Sequence, residues 1–244
     1  MSESRSSRPF ALLLPSLALV LAALIAAGGF LQSRRADRFV TVKGVAELEV
    51  EADLVVWPMA VSVTADDLAA AQTSLGRHLD QVRGYLAGFG LDSMAVVLQG
   101  TQVTDRIAER FGRLEPGQQR YVLSATLSVR SADLDAVEAS YRDVGRLIGG
   151  GVPLSVPGGY GELRPTWVFT GLNEVKPAMI ADATASAREA AEQFAIDSGS
   201  ELGRIRRADQ GVFQILSRTP GIPESFERFK QVRVVSTIQY FLDG

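Results

Sequence analysis

Between Phe39 and Ala52 apolar and polar residues alternate. Val40, Val42, Ala46, Leu48 and Val50 occupy one set of positions and Thr41, Lys43, Glu47, Glu49 and Glu51 the other. A strand turns successive side chains to opposite faces, so this register predicts a strand with one covered face and one wet face. The pattern returns in LVVWPMAVSVT, where Val55, Trp57, Met59, Val61 and Val63 share a face. It returns again at 120–130, where Tyr121, Leu123, Ala125, Leu127 and Val129 do. The break at Glu51 to Asp53 suggests that the first two strands form a hairpin, with Asp53 bonding its own backbone in the turn. Pro58 has no amide hydrogen and belongs at a sheet edge or a bulge.

Elsewhere the period becomes helical. Leu68, Ala71, Leu75, Leu79, Val82, Leu86 and Phe89 recur every three or four residues, with Asp66 as the expected cap and Gly90 as the stop. A second helix is expected after Ser131, on the stripe Leu134, Val137, Tyr141, Val144 and Ile148, ending in three glycines. The third, in NEVKPAMIADATASAREAAEQFAIDSGS, is capped by Asn173, carries Pro177 in its first turn and closes at Gly199. Its expected inner stripe is Ile180, Ala183, Ala187, Ala191 and Phe194. Side chains that small let two backbones approach, so the stripe is read as packing on a sheet and not as a cofactor slot. Further strands are expected at 95–104, 167–170, 203–216 and 232–242. The resulting order, ββαββ, α, βαββ, predicts an α+β fold of antiparallel, hairpin-built sheets with packed helices.

Ahead of this body, residues 9–31 form an uncharged apolar run, PFALLLPSLALVLAALIAAGGFL. About 20 such residues cross a bilayer as a helix, the only spanning form that satisfies its own backbone within one segment. The expected organisation is a short cytoplasmic stretch at 1–8, a transmembrane signal anchor at 9–31 and a linker at 32–38. A single body at 39–244 follows, expected on the far side of that membrane. A cleaved signal peptide is the competing reading, because Ala26, Ala27, Gly28 and Gly29 offer small residues to a peptidase.

The chain holds one histidine, His78, and no cysteine. One imidazole cannot build a multi-histidine metal site or, with a serine, more than one triad, and thiolate chemistry is excluded. His78 flanks the apolar stripe of its helix and is read as structural. Asp66 and Asp67 serve a helix N-terminus. The segment GGGVPLSVPGGYG lacks the Gly-Lys-Ser/Thr ending of a phosphate loop and is read as a connection, or as a rim for ligand entry. A net charge of −3 leaves no basic footprint for nucleic acid. No cofactor, metal or catalytic residue is assigned, and an enzyme ranks last among the readings. Two arginine groups stand out as a possible interaction surface: Arg204, Arg206 and Arg207 on a late strand, and Arg106, Arg110 and Arg113 between strands. A charged, solvated strand edge is the plainer reading of the first group.

VTVKGVAELEVEADLVVW, KPAMIADATASAREAAEQFAIDSGSELGRI and the terminal VRVVSTIQYFL, taken in that order, resemble the SIMPL-domain family of bacterial envelope proteins. The resemblance implies an exported α+β domain, ring-like or channel-like homo-oligomers in some relatives, and an envelope-maintenance or oxidative-stress role. The family brings no agreed catalytic residues to carry over. The leading expectation is a membrane-anchored, non-enzymatic protein that self-associates through sheet edges or faces. The alternative is a periplasmic binding or sensor module for a small molecule, lipid or peptide, its pocket under the Gly/Pro loop.

Overall fold

The computed structural model describes residues 38–109 and 114–243. The expected transmembrane segment, most of the linker, Arg110 and Arg113 lie outside the described residues. Among those residues no helix is long and apolar enough to cross a membrane. The architecture is α+β with antiparallel sheets and a few helices. The described chain divides into two compact units, and the division falls inside its first strand, its longest helix and its last strand.

In the larger unit, 48–176 with 215–232, the strands are β2 (Leu54–Ala65), β3 (Val96–Asp105), β4 (Tyr121–Ser131), β5 (Leu154–Ser155) and β6 (Thr166–Val168). The helices are α1 (Leu68–Ala87), α2 (Arg106–Glu109), α3 (Leu134–Arg142) and α4 (Val144–Gly149). The sheet order is β3-β4-β2-β5, with β6 also on β2, and every pairing is antiparallel. Val55, Trp57, Met59, Val61 and Val63 of β2 and Leu123, Ala125, Leu127 and Val129 of β4 are buried as their alternation requires. They pack with Ala71, Leu75, Leu79, Val82 and Leu86 of α1 and Val137 of α3 in one large core.

In the smaller unit, β9 (Phe229–Asp243) lies between β1 (Phe39–Glu51) and β7 (Glu201–Gln210), and α5 (Leu172–Asp197) supplies the covering helix. A further short strand, β8 (Gln214–Ser217), also pairs with β9. The buried core here is small, made of Val42, Ala187, Ala191, Ile238 and Tyr240. A Cβ on Gly44 would stand 1.8 Å from the Ala183 carbonyl oxygen and 2.5 Å from the Ala187 backbone nitrogen. The alanine face of α5 therefore holds the backbone of β1, and Gly44 is the residue that lets it in.

Several expectations are corrected. β1 and β2 do not form a hairpin. They join different sheets, because after Glu51 the amide of Ala52 bonds the Arg228 carbonyl and that of Asp53 the Val168 carbonyl. Asp53 does not bond its own turn either: its carboxylate accepts the amides of Thr170 and Gly171 at 2.8 Å. Pro58 lies in a central strand, but at the gap between the residues paired with β6 (54–56) and with β5 (60–61), where no partner needs its missing hydrogen. The caps shift by one or two residues. Asp67 accepts the Ala70 amide and Asp133 the Ala136 amide, while Asp66 accepts from Arg120 and Ser131 from Asp133. The expected second helix breaks at Asp143 into α3 and α4, burying Leu147 and leaving Ile148 exposed. On α5 the buried stripe is Met179, Ala183, Ala187, Ala191 and Ala195, with Phe194 outside it, and Pro177 comes after the first turn.

Candidate functional site

Three features of the described surface bear on function: an open strand edge, a guarded one, and a polar hollow.

The open edge is β3. It ends its sheet, and no described strand pairs with its outer side. Its partner β4 and the next strand β2 lie under α1, whereas β3 extends beyond that cover. Val96 alone is buried at its start, and Val97, Leu98 and Val103 are 51%, 43% and 53% exposed. Leu98 and Val103 stand opposite Leu127 and Leu123 of β4, both buried, so they continue the core face of the sheet past the end of the core. A row of unpaired backbone groups flanked by exposed valine and leucine is a template for another strand. At its end Asp105 pairs with Arg120 at 2.8 Å. Hydrogen bonds from Arg120 hold the Asp105 carboxyl below the usual carboxylate range. The neighbouring Arg106 donates to the Gln119 carbonyl at 3.2 Å.

The guarded edge is β7, which carries the other expected arginine group. Its register against β9 slips twice, between Leu202 and Ile205 and between Ile205 and Arg207. Arg204 lies over the Phe241 ring at 5.6 Å and Arg206 over the Phe39 ring at 4.0 Å. Arg207 bonds Asp209 at 2.7 Å and 3.0 Å, and that contact raises its pKa. Each arginine is held within its own unit, and bulges with edge charges are the devices that keep a strand from pairing further.

The hollow lies on the face of the β3-β4-β2 sheet opposite the α1 core, with a volume of about 420 Å³. Ser62 of β2, Ser124 and Thr126 of β4 and Gln102 of β3 form its floor, because register places Gln102 opposite Ser124 and Ser124 opposite Ser62. The Ser62 and Ser124 hydroxyls bond each other at 2.7 Å. One wall is the Gly/Pro loop through Ser155, Val156, Gly158 and Gly159. Gly158 and Gly159 take φ of 78° and 76°, the left-handed region glycine enters without strain. The hydroxyl floor escaped the sequence reading, although the alternate Ser124, Thr126 and Ser128 of β4 and Ser62 and Thr64 of β2 signal it.

Other charged groups serve the fold. Arg228 bonds Glu51 at 2.6 Å, Asp135 at 2.6 Å and Glu138 at 2.8 Å, and its pKa is raised by Asp135 above all. The ammonium of Lys230, 1% exposed, is taken up by the carboxylate and the carbonyl of Glu224. His78 bonds Gln81 one turn along α1. Among the described residues no group of three or more histidine or carboxylate side chains could hold a metal ion.

A family model matches residues 40–234, nearly all of the chain beyond its apolar segment. The chain belongs to the SIMPL family. That family is described as a protein of unknown function (DUF541), so membership carries architecture and no activity. No curated protein matches the chain. Among solved structures it is similar to an uncharacterized conserved protein from Listeria innocua. Identity is 13%, coverage is 77% of this chain and 90% of that one, and the TM-score is 0.19, so no residue is transferred from it.

Proposed function

We propose that this SIMPL protein is anchored in the bacterial inner membrane by residues 9–31 and works in the periplasm as a non-enzymatic, self-associating module. The carrying observation is the exposed outer side of β3, with Val97, Leu98 and Val103 beside it. Pairing with β3 of a second copy satisfies the free backbone groups and covers those side chains, and a contact of one edge with itself closes as a two-fold dimer. The bulges and charges of β7 disfavour pairing there, and Arg204, Arg206 and Arg207 are a candidate polar contact surface of their own unit. An envelope-maintenance or oxidative-stress role follows from the family resemblance.

The test is the mass of the full chain in detergent at micromolar concentration, by sedimentation or mass photometry. A multiple of the protomer mass is expected for the wild type, and the protomer mass for the Leu98→Lys, Val103→Lys double variant. A wild-type protomer under all conditions would remove the proposal.

A further inference from the structure

The hollow under the Gly/Pro loop has a lining that narrows its ligand. Its volume, about 420 Å³, falls within the range of roughly 300–1,000 Å³ typical of small-molecule sites. The polar side chains around it are Ser62, Thr101, Gln102, Ser124, Thr126 and Ser155, and among the described residues no lining residue is charged. A phosphate or carboxylate ligand would find no cation among them. An acyl chain would find only Ala60 and Val156 as apolar lining, so a lipid tail gains little from entering.

The lining offers neutral hydrogen bonds in a dense array. A hydroxyl has one donor and two acceptor positions, and an amide side chain two of each. The Ser62 and Ser124 hydroxyls share a single hydrogen bond, which leaves a hydrogen and further lone pairs for a ligand. Thr101, Gln102 and Thr126 have no side-chain hydrogen bond to the described residues. β4, in the middle of this floor, is already paired on both sides, to β2 and to β3, so an extended peptide could pair only along the outer edge of β3. A ligand that matches the site is itself neutral and dense in hydroxyls. Directly after Gly158 and Gly159 in the chain comes Tyr160, 91% exposed and just outside the residues that line the hollow. Its ring has a flat apolar face and a polar tip, the combination that stacks on a pyranose ring while hydrogen-bonding its rim.

We propose that this hollow binds a short neutral oligosaccharide, with Ser124, Thr126 and Gln102 bonding the sugar hydroxyls and Tyr160 stacking beside them. The inference is independent of self-association: a protein that proved monomeric would leave it standing.

The test is calorimetric titration of the full chain, in a detergent without a sugar headgroup, with cellotetraose, maltotetraose and chitotetraose. Saturable binding of at least one is expected, with a Kd at or below about 1 mM. Thr126→Val, Gln102→Ala and Tyr160→Ala each weaken it by about fivefold or more, with melting temperature unchanged. Thr126→Trp, which fills the hollow, abolishes it. No saturable binding of any of the three sugars would overturn the proposal, as would binding indifferent to these substitutions. Equal binding of tetra-alanine in competition would assign the hollow to peptides and overturn it too. Gln102 and Tyr160 are exposed, so their variants keep the test decisive should Thr126→Trp fail to fold.

Discussion

The two sheets of this protein solve the same problem by opposite means. The β3-β4-β2 sheet builds its core from large side chains, Trp57, Met59, Leu86 and Leu127 among them, and leaves its outer strand β3 unguarded. The β1-β9-β7 sheet buries few side chains, relies on close approach of backbones at Gly44, and guards β7 with bulges and arginines. The first is filled by side chains, whereas the second has no room even for a methyl group at Gly44. Edge chemistry differs too: β3 ends the first sheet unguarded, whereas β7 ends the second behind bulges and arginines.

The largest effect should come from Gly44→Val. Its Cβ would overlap the Ala183 carbonyl, a backbone atom that cannot move without shifting α5, so the cost should reach about 5 kcal/mol, the exceptional end of point mutations. Denaturant unfolding checks this, and a cost below about 1 kcal/mol, less than the roughly 1–3 kcal/mol usual for overpacking, would break the contrast. Trp57→Ala in the other core should cost about 4 kcal/mol by leaving a cavity among β2, α1 and α3. A methyl group added where there is room should act in the opposite direction. No atom lies within 4 Å of a Cβ on Gly84 of α1, so Gly84→Ala should raise stability by about 0.5–1 kcal/mol through helix propensity.

Much of this contrast was legible in the chain. Alternation placed the buried face of β2 and β4 residue by residue, and the alanine spacing marked α5 as a close-packing helix. Strand partnership was not legible, because β1 and β2 are neighbours in sequence while the amides of Ala52 and Asp53 between them bond Arg228 and Val168, more than a hundred positions away. On α5 the alanines are compatible with either of two adjacent stripes, one ending at Ile180 and Phe194 and the other at Met179 and Ala195, and the fold buries the second. Gly44, a glycine in an otherwise alternating strand, was a signal of close approach that periodicity alone passes over. The hollow was half legible: its glycine wall stood out in composition, while its hydroxyl floor needed the register of three strands.

The smallest effect concerns acid. Hydrogen bonds to Glu227 from Thr219 and Ser217, then from the Arg218 amide, lower its pKa to about 2. A carboxylate with a folded pKa below its unfolded value stabilises above the unfolded value and loses that contribution as pH falls through the folded one. Glu227→Gln should therefore lower the melting temperature slightly near neutrality and converge with wild type as the pH approaches about 2. A difference that persists unchanged at that pH would point to shape and not charge.

The central claim, that β3 pairs and β7 does not, is tested most directly by hydrogen exchange of the full chain in detergent, at high concentration and after dilution. Amides in 96–105 should be protected at high concentration and exchange faster on dilution, while those in 201–210 exchange alike in both. Concentration-dependent protection of 201–210 with 96–105 unchanged would contradict the account.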